Sequence, residues 1–169
     1  MLTQMLIPTD FSPCGQLAAG HAFDVARAFG GNVTLLHVLE RRQILAGSIT
    51  SGCEADPGDA EDQTTPDDAA TALARLRELG RLSRRPPSCL VVPALPGVHG
   101  VASVILRVAG EVGAELIVMG AHGSSNQHHT GIGQVVRQVV QGALVPVQVV
   151  PGALDIPHPG GRWRTLSGS

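Results

Sequence analysis

The sequence predicts an α/β fold: a doubly wound, Rossmann-like five-stranded parallel sheet with helices on both faces, built as a single domain. Three observations carry this prediction. Strand-like and helix-like segments alternate as βαβαβαβαβ along the chain, the order that gives a parallel sheet with crossover helices. The strand segments are nearly continuous apolar runs, as strands covered on both faces are. The length of 169 residues suits one domain with a core of its own.

Each element has a local cause. Leu2 to Pro8 is a short apolar strand that ends where turn residues begin at Thr9-Asp10. Ser12 is a good N-cap and Pro13 suits the first helical position, so a helix is expected from Pro13 to Phe29. Its apolar positions are Leu17, Ala18, His21, Ala22, Val25, Ala28 and Phe29, with Gly30-Gly31 as the stop. Asn32 to Leu39 is β-branched and apolar, a buried strand. Residues 41–66 lose all periodicity and read as a mobile acidic insert. A helix then runs from about Pro66 or Asp67 to Arg84, closed by Pro86-Pro87. Cys89 to Leu95 is the third strand, and Pro93 assigns it to a sheet edge because it lacks a ladder donor. A helix from Val101 to Val112, a strand from Glu115 to Met119, a helix from Gly133 to Gly142 and a strand from Pro146 to Val150 complete the series. Residues 1–151 form the domain, and 152–169 are a Gly- and Pro-rich tail that frays.

Composition excludes several functions. Apolar residues make up 43% and charged residues 15%, yet no apolar run approaches the roughly 20 residues that cross a bilayer. The opening residues lack a basic stretch followed by a hydrophobic one, so no secretory signal is expected and the cytoplasm is the expected location. Three cysteines, Cys14, Cys53 and Cys89, form no disulfide or zinc pattern. All 12 basic residues are Arg, which removes the Lys of a Walker A loop, a kinase strand or a pyridoxal Schiff base. Seven of the 14 acids fall in residues 54–68, which hold no Arg, so the rest of the chain is mildly basic. With three Phe, one Trp and no Tyr, stacking platforms for nucleic acid are missing.

The most informative segment runs from Gly120 to Gly133, after the fourth strand. Four glycines there allow positive φ and close backbone approach, and the helix that follows starts with unpaired N–H groups. Together these can cradle an anion; an ordinary flexible connection is the alternative. Asp10 is either a ligand acceptor or a turn cap. His37 reads as a satisfied core histidine, and His122 as the better ligand candidate. His128 and His129 read as solvated loop residues, and Cys14 as an inert, partly buried thiol. The first βα turn has no glycine triplet, so a dinucleotide site of the Rossmann type is unsupported.

These residues resemble the universal stress protein family. Leu6-Ile7-Pro8-Thr9-Asp10-Phe11-Ser12-Pro13-Cys14 looks like its opening, Leu35-Leu36-His37-Val38 like its second strand, and Ala114 to Gly123 like its fourth strand and turn. Gly120-x2-Gly123-x9-Gly133 matches the spacing of the family's nucleotide-binding glycines, and Val145 to Pro151 resembles its final strand. The resemblance implies an adenine nucleotide, with Pro8, Thr9, Asp10 and Val38 at the base and ribose. Met119, Gly120, His122 and Gly123 would approach ribose and the first phosphates. Gly133, Gln134, Val135 and Val136 would offer backbone N–H groups to the phosphate tail. Two departures stand out. Gln134 replaces the usual Ser or Thr, and no Arg lies between Gly120 and Gly133, which favours AMP or ADP over ATP. The resemblance further implies a homodimer paired through the last strand, Pro146 to Val150, and Mg²⁺ only with the phosphates. No catalytic residues are recognisable, so the chain reads as a stress-response sensor or signalling module. Slow ATP hydrolysis, a nucleotide-free dimeric interaction protein and an ATP-using enzyme of related fold stay open as alternatives.

Overall fold

The computed structural model describes residues 2–39, 66–94, 100–123 and 131–152. Nine elements follow in chain order: β1 (Gln4–Pro8), α1 (Pro13–Phe29), β2 (Asn32–Leu39), α2 (Pro66–Gly80), β3 (Ser88–Pro93), α3 (Val101–Glu111), β4 (Leu116–Gly120), α4 (Gln134–Gly142) and β5 (Val147–Val150). The strands form one parallel sheet in the order β3-β2-β1-β4-β5, which is the doubly wound architecture expected. The predicted insert 41–66 up to residue 65, the loop residues 124–130 with His128 and His129, Leu95, Cys53 and the tail from 153 onward lie outside the described residues.

The two faces hold separate cores. Met5, Ile7, Val33 and Leu35 of β1 and β2 pack against Ala18, Ala19, Ala22 and Phe23 of α1 and Ala72, Leu76 and Leu79 of α2. Leu6, Leu36, Val38 and Ile117 face Ala102, Ile105 and Val108 of α3 and Val136 and Val139 of α4. Alternation along each strand assigns neighbours to opposite faces, which is why the sequence shows continuous apolar runs.

The buried stripe of α1 differs from the expected one. Leu17 is 47% and Phe29 59% exposed, whereas Ala18, Ala19, Ala22, Phe23 and Ala26 are buried. Four small alanines let the helix lie close to the sheet, and the stripe they form with Phe23 leaves Leu17 and Phe29 outside it. Ser12 caps this helix by accepting from the Gly15 N–H at 3.1 Å, and Gly30 ends it at φ 74°. The predicted continuation of α2 to Arg84 does not form. Arg81, Leu82 and Ser83 instead make turn bonds back to Glu78, Leu79 and Gly80. The absence of a side chain at Gly80 admits Pro87, whose Cγ lies 2.8 Å from where a Cβ would stand. The third strand occupies an edge, as Pro93 requires.

One feature of the ladder positions the site. Thr9 N–H donates to Leu36 O on β2 at 2.9 Å, so the backbone of the preceding residue faces β4. That residue is Pro8, which has no N–H to give. The β1–β4 ladder accordingly pairs Met5 with Leu116 and Leu6 with Ile117 and stops, while β1–β2 pairing continues to Pro8. The carboxyl ends of β1 and β4 therefore part at the position where strand order reverses.

At the opposite end of the sheet, the Glu115 carboxylate accepts from Thr3 N–H at 2.6 Å and from Thr3 Oγ1 at 3.1 Å. The Thr3 backbone N–H, and then its hydroxyl, hold the Glu115 carboxyl below its ordinary value of 4.5. A lowered folded value means stability that is present above the ordinary value and lost as pH falls through the lowered one. Glu115→Gln should therefore melt below the parent near neutral pH, and the two melting curves should converge in strong acid. Thermal unfolding across pH checks this; a difference that persists or widens in acid would contradict it.

Candidate functional site

The parting of β1 and β4 opens a cavity of about 720 Å³ at the carboxyl end of the sheet, within the range of small-ligand sites, roughly 300 to 1,000 Å³. All twelve residues expected there line it. The β1–α1 turn contributes Pro8, Thr9 and Asp10, and β2 contributes Val38. Met119, Gly120, His122 and Gly123 come from β4 and its turn, and Gly133, Gln134, Val135 and Val136 from the start of α4.

The glycines act mainly by letting backbones meet. A Cβ on Gly120 would stand 2.8 Å from Cys14 carbonyl carbon and Sγ, and one on Gly123 would stand 2.9 Å from Asp10 Oδ2. A Cβ on Gly133 would lie 3.4 Å from Ala121 O. Only Gly131 of the four has the positive φ expected, at 149°. The turn after β1 and the turn after β4 are thus in contact across the switch point.

Helix α4 begins at this cavity. Its N-cap, Gly133, has no side chain to satisfy the first turn, so the N–H groups of Gln134, Val135 and Val136 have no acceptor within the helix. The N–H of Gly133 differs from the expected donor set, because it already donates to Ala121 O at 2.8 Å. Gln134 is exposed at the cavity wall. His122 Nδ1 is buried with no hydrogen-bond partner among the described residues, a polar group whose burial is unfavourable until something pairs with it.

The β1–α1 turn is tightly determined. Asp10 Oδ1 accepts from Ser12 N–H at 3.1 Å, and Thr9 Oγ1 accepts from Phe11 N–H at 3.0 Å. Asp10 is therefore a turn former that also lines the cavity. Phe11 is held at φ 62°, a left-handed conformation costing on the order of 1–3 kcal/mol for a non-glycine residue. Its carbonyl accepts from Gln16 Nε2 at 3.1 Å. Cys14 is buried, and its thiol donates to Val150 O at 3.5 Å, consistent with a packed thiol.

Sequence reasoning missed five lining residues: Gly15, Leu36, His37, Val101 and Ile105. Leu36 could have been found from Val38, two positions along one face of a strand. Gly15 in the first turn of an otherwise alanine-rich helix signals a close approach; a Cβ there would stand 2.9 Å from Thr9 Oγ1. Val101 and Ile105 carry no local signal, since only the topology brings α3 beside α4 and β2. His37 was expected in the core; it is half-buried, and its ring turns to the α1/α2 face. Among the described residues that line the cavity, Asp10, His37 and His122 are the only titratable side chains, and no Arg is present. Among the described residues no group of three His, Cys, Asp or Glu could hold a metal ion, and no helix is long and apolar enough to cross a membrane.

Fold and site define a doubly wound α/β protein with a ligand-sized pocket at its topological switch point and an uncapped helix N-terminus at its wall. Residues 1–151 match the profile of the universal stress protein family, and the chain belongs to that family. It is 28% identical over 163 residues to universal stress protein MJ0577 of Methanocaldococcus jannaschii, covering 89% of this chain and 95% of that one. The solved structure of MJ0577 superposes with a TM-score of 0.67 at 24% identity, over 89% and 96% of the two chains. A universal stress protein of Archaeoglobus fulgidus, solved in complex with dAMP, has a TM-score of 0.56 and 20% identity over 89% of this chain and 97% of that one. Another universal stress protein, solved in complex with cAMP, has a TM-score of 0.60 and 15% identity over 90% and 98%.

The close contacts separate two kinds of glycine substitution. Gly120→Ala meets backbone and should lower stability by about 1–3 kcal/mol. Gly123→Ala meets only the end of the Asp10 side chain, so the fold should hold while Asp10 is displaced. Thermal melting checks the pair; equal losses for both would contradict this reading.

Proposed function

We propose that this chain is an adenine-nucleotide-binding module that acts in stress sensing or signalling through occupancy of the switch-point pocket. The observation that carries the proposal is the uncapped start of α4 at the wall of a cavity of about 720 Å³. Three backbone N–H groups without helical acceptors, with the dipole of α4 behind them, favour an anion. The two related structures in complex with cAMP and dAMP support an adenine mononucleotide as the occupant.

In this reading Val38 and the Pro8-Thr9-Asp10 turn hold base and ribose. Gly120 and Gly123 admit the sugar and first phosphate against backbone. His122 Nδ1 gains a partner on an oxygen of the ligand, and Gln134, Val135 and Val136 donate to phosphate. The charge balance separates the candidate ligands: lining residues without Arg leave backbone dipoles as the main compensation, which suits AMP better than ADP and ADP better than ATP. Mg²⁺ would arrive with the phosphates of a longer ligand. The protein binds and reports rather than turning over its ligand, and it pairs as a homodimer in the cytoplasm through the β5 edge, which has no neighbouring strand among the described residues and which a second copy would cover.

A nucleotide-free interaction protein is the second reading, favoured by one observation: Gln134, in place of the family's small hydroxyl residue, starts α4 with an exposed carboxamide.

Isothermal titration with adenosine, AMP, ADP and ATP, each with and without Mg²⁺, tests the first reading. Saturable binding of AMP below millimolar concentration is expected; absence of binding for all four ligands, with no nucleotide released on denaturing the purified protein, would leave the second. Sedimentation should show a dimer at micromolar concentration that dissociates when Val149 on β5 is changed to Lys; a monomer in the parent would contradict the pairing.

A further inference from the structure

We propose that His37, braced by Phe11 and Arg75, is a positioning residue for the pocket, acting through Thr9. This rests on the nucleotide-binding reading, and it assigns a role to three side chains outside the ligand-contacting set. His37 Nδ1 lies 2.8 Å from Thr9 O. A carbonyl oxygen only accepts, so His37 is the donor and Nδ1 carries a proton. The same Thr9 donates its N–H to Leu36 O at 2.9 Å and accepts from Phe11 N–H on its hydroxyl at 3.0 Å. Backbone and side chain of the residue that leads into Asp10 are thereby tied at three points.

His37 is itself held from the α2 side. Its ring centroid lies 4.6 Å from that of Phe11 at a tilt of 35°. The Arg75 guanidinium carbon stands 4.0 Å from the Phe11 centroid, a cation–π distance. Phe11 keeps a left-handed backbone, φ 62°, that a bulky residue adopts only when its surroundings impose it. Arg75, Phe11, His37 and Thr9 form a continuous chain of contacts from the exposed side of α2 to the pocket wall.

Three variants of the full-length protein test this chain. His37→Phe keeps an aromatic ring against Phe11 but removes the donor, and should weaken AMP binding about three- to tenfold, the equivalent of one hydrogen bond. His37→Asn restores an N–H at the Nδ1 position and should return affinity to within about twofold of the parent. Arg75→Met keeps the apolar stem without the charge and should cost about twofold or more, with an effect smaller than additive when combined with His37→Phe.

Amide shifts of Thr9, Asp10 and Phe11 in the ligand-free protein give a readout independent of nucleotide. They should move in His37→Phe and return in His37→Asn. Unchanged shifts in His37→Phe, or no recovery in a folded His37→Asn, would overturn the proposal. If the parent binds no nucleotide, the function proposal fails, and the amide shifts alone decide whether His37 sets the turn.

Discussion

The whole site depends on the separation of β1 from β4 at their carboxyl ends. Pro8 places a missing donor on the side of β1 that faces β4, and the ladder between the two strands ends before it. A proline inside a central strand is ordinarily unfavourable. Here it stands at the last position of the strand, where the lost bond opens a crevice while pairing with β2 continues. The strand order reverses at the same place, so α1 leaves toward one face and α4 comes from the other.

Opening a crevice is not enough, because two turns must then meet across it without filling it. Positions without a Cβ solve this. Gly120 lies against the backbone of Cys14, Gly15 against Thr9, and Gly123 against the carboxylate of Asp10. Larger residues at these points would push the turns apart or into the cavity. The same economy of side chains leaves the start of α4 without a side-chain cap from Gly133, so the N–H groups of its first turn, at the cavity wall, have no acceptor within the helix. His122 Nδ1, buried and without a partner among the described residues, is the complementary feature: a polar group at the cavity that a ligand oxygen could pair.

Much of this was legible in the sequence because the signals were local. Ser12-Pro13 and Gly30 delimit α1 by capping chemistry, and Asn32 to Leu39 is apolar enough to need cover on both faces. Pro93 identifies an edge strand. The glycine spacing from 120 to 133 points to a backbone-lined pocket, and all twelve residues assigned to it line one cavity. What was not legible depended on packing or topology. The buried stripe of α1 is set by how closely alanines let the helix approach, so Leu17 and Phe29 face outward despite their size. Val101 and Ile105 reach the pocket only because α3 packs beside α4. His37 looked like a core residue because strand periodicity shows burial and not bonding partners. The Gly133 N–H is committed to Ala121 O by a loop geometry that no spacing rule contains.

The most direct measurement is an NMR titration of the isotope-labelled protein with AMP, followed at backbone amides and at the His122 ring. Ligand seated at the switch point should shift the amides of Gln134, Val135 and Val136 most, together with those of Thr9, Asp10 and Gly123, and should move the His122 Nδ1 resonance. Shifts confined to the α1 and β5 surface around His21 and Gln148, or none at millimolar AMP, would contradict a nucleotide site built on the bare start of α4.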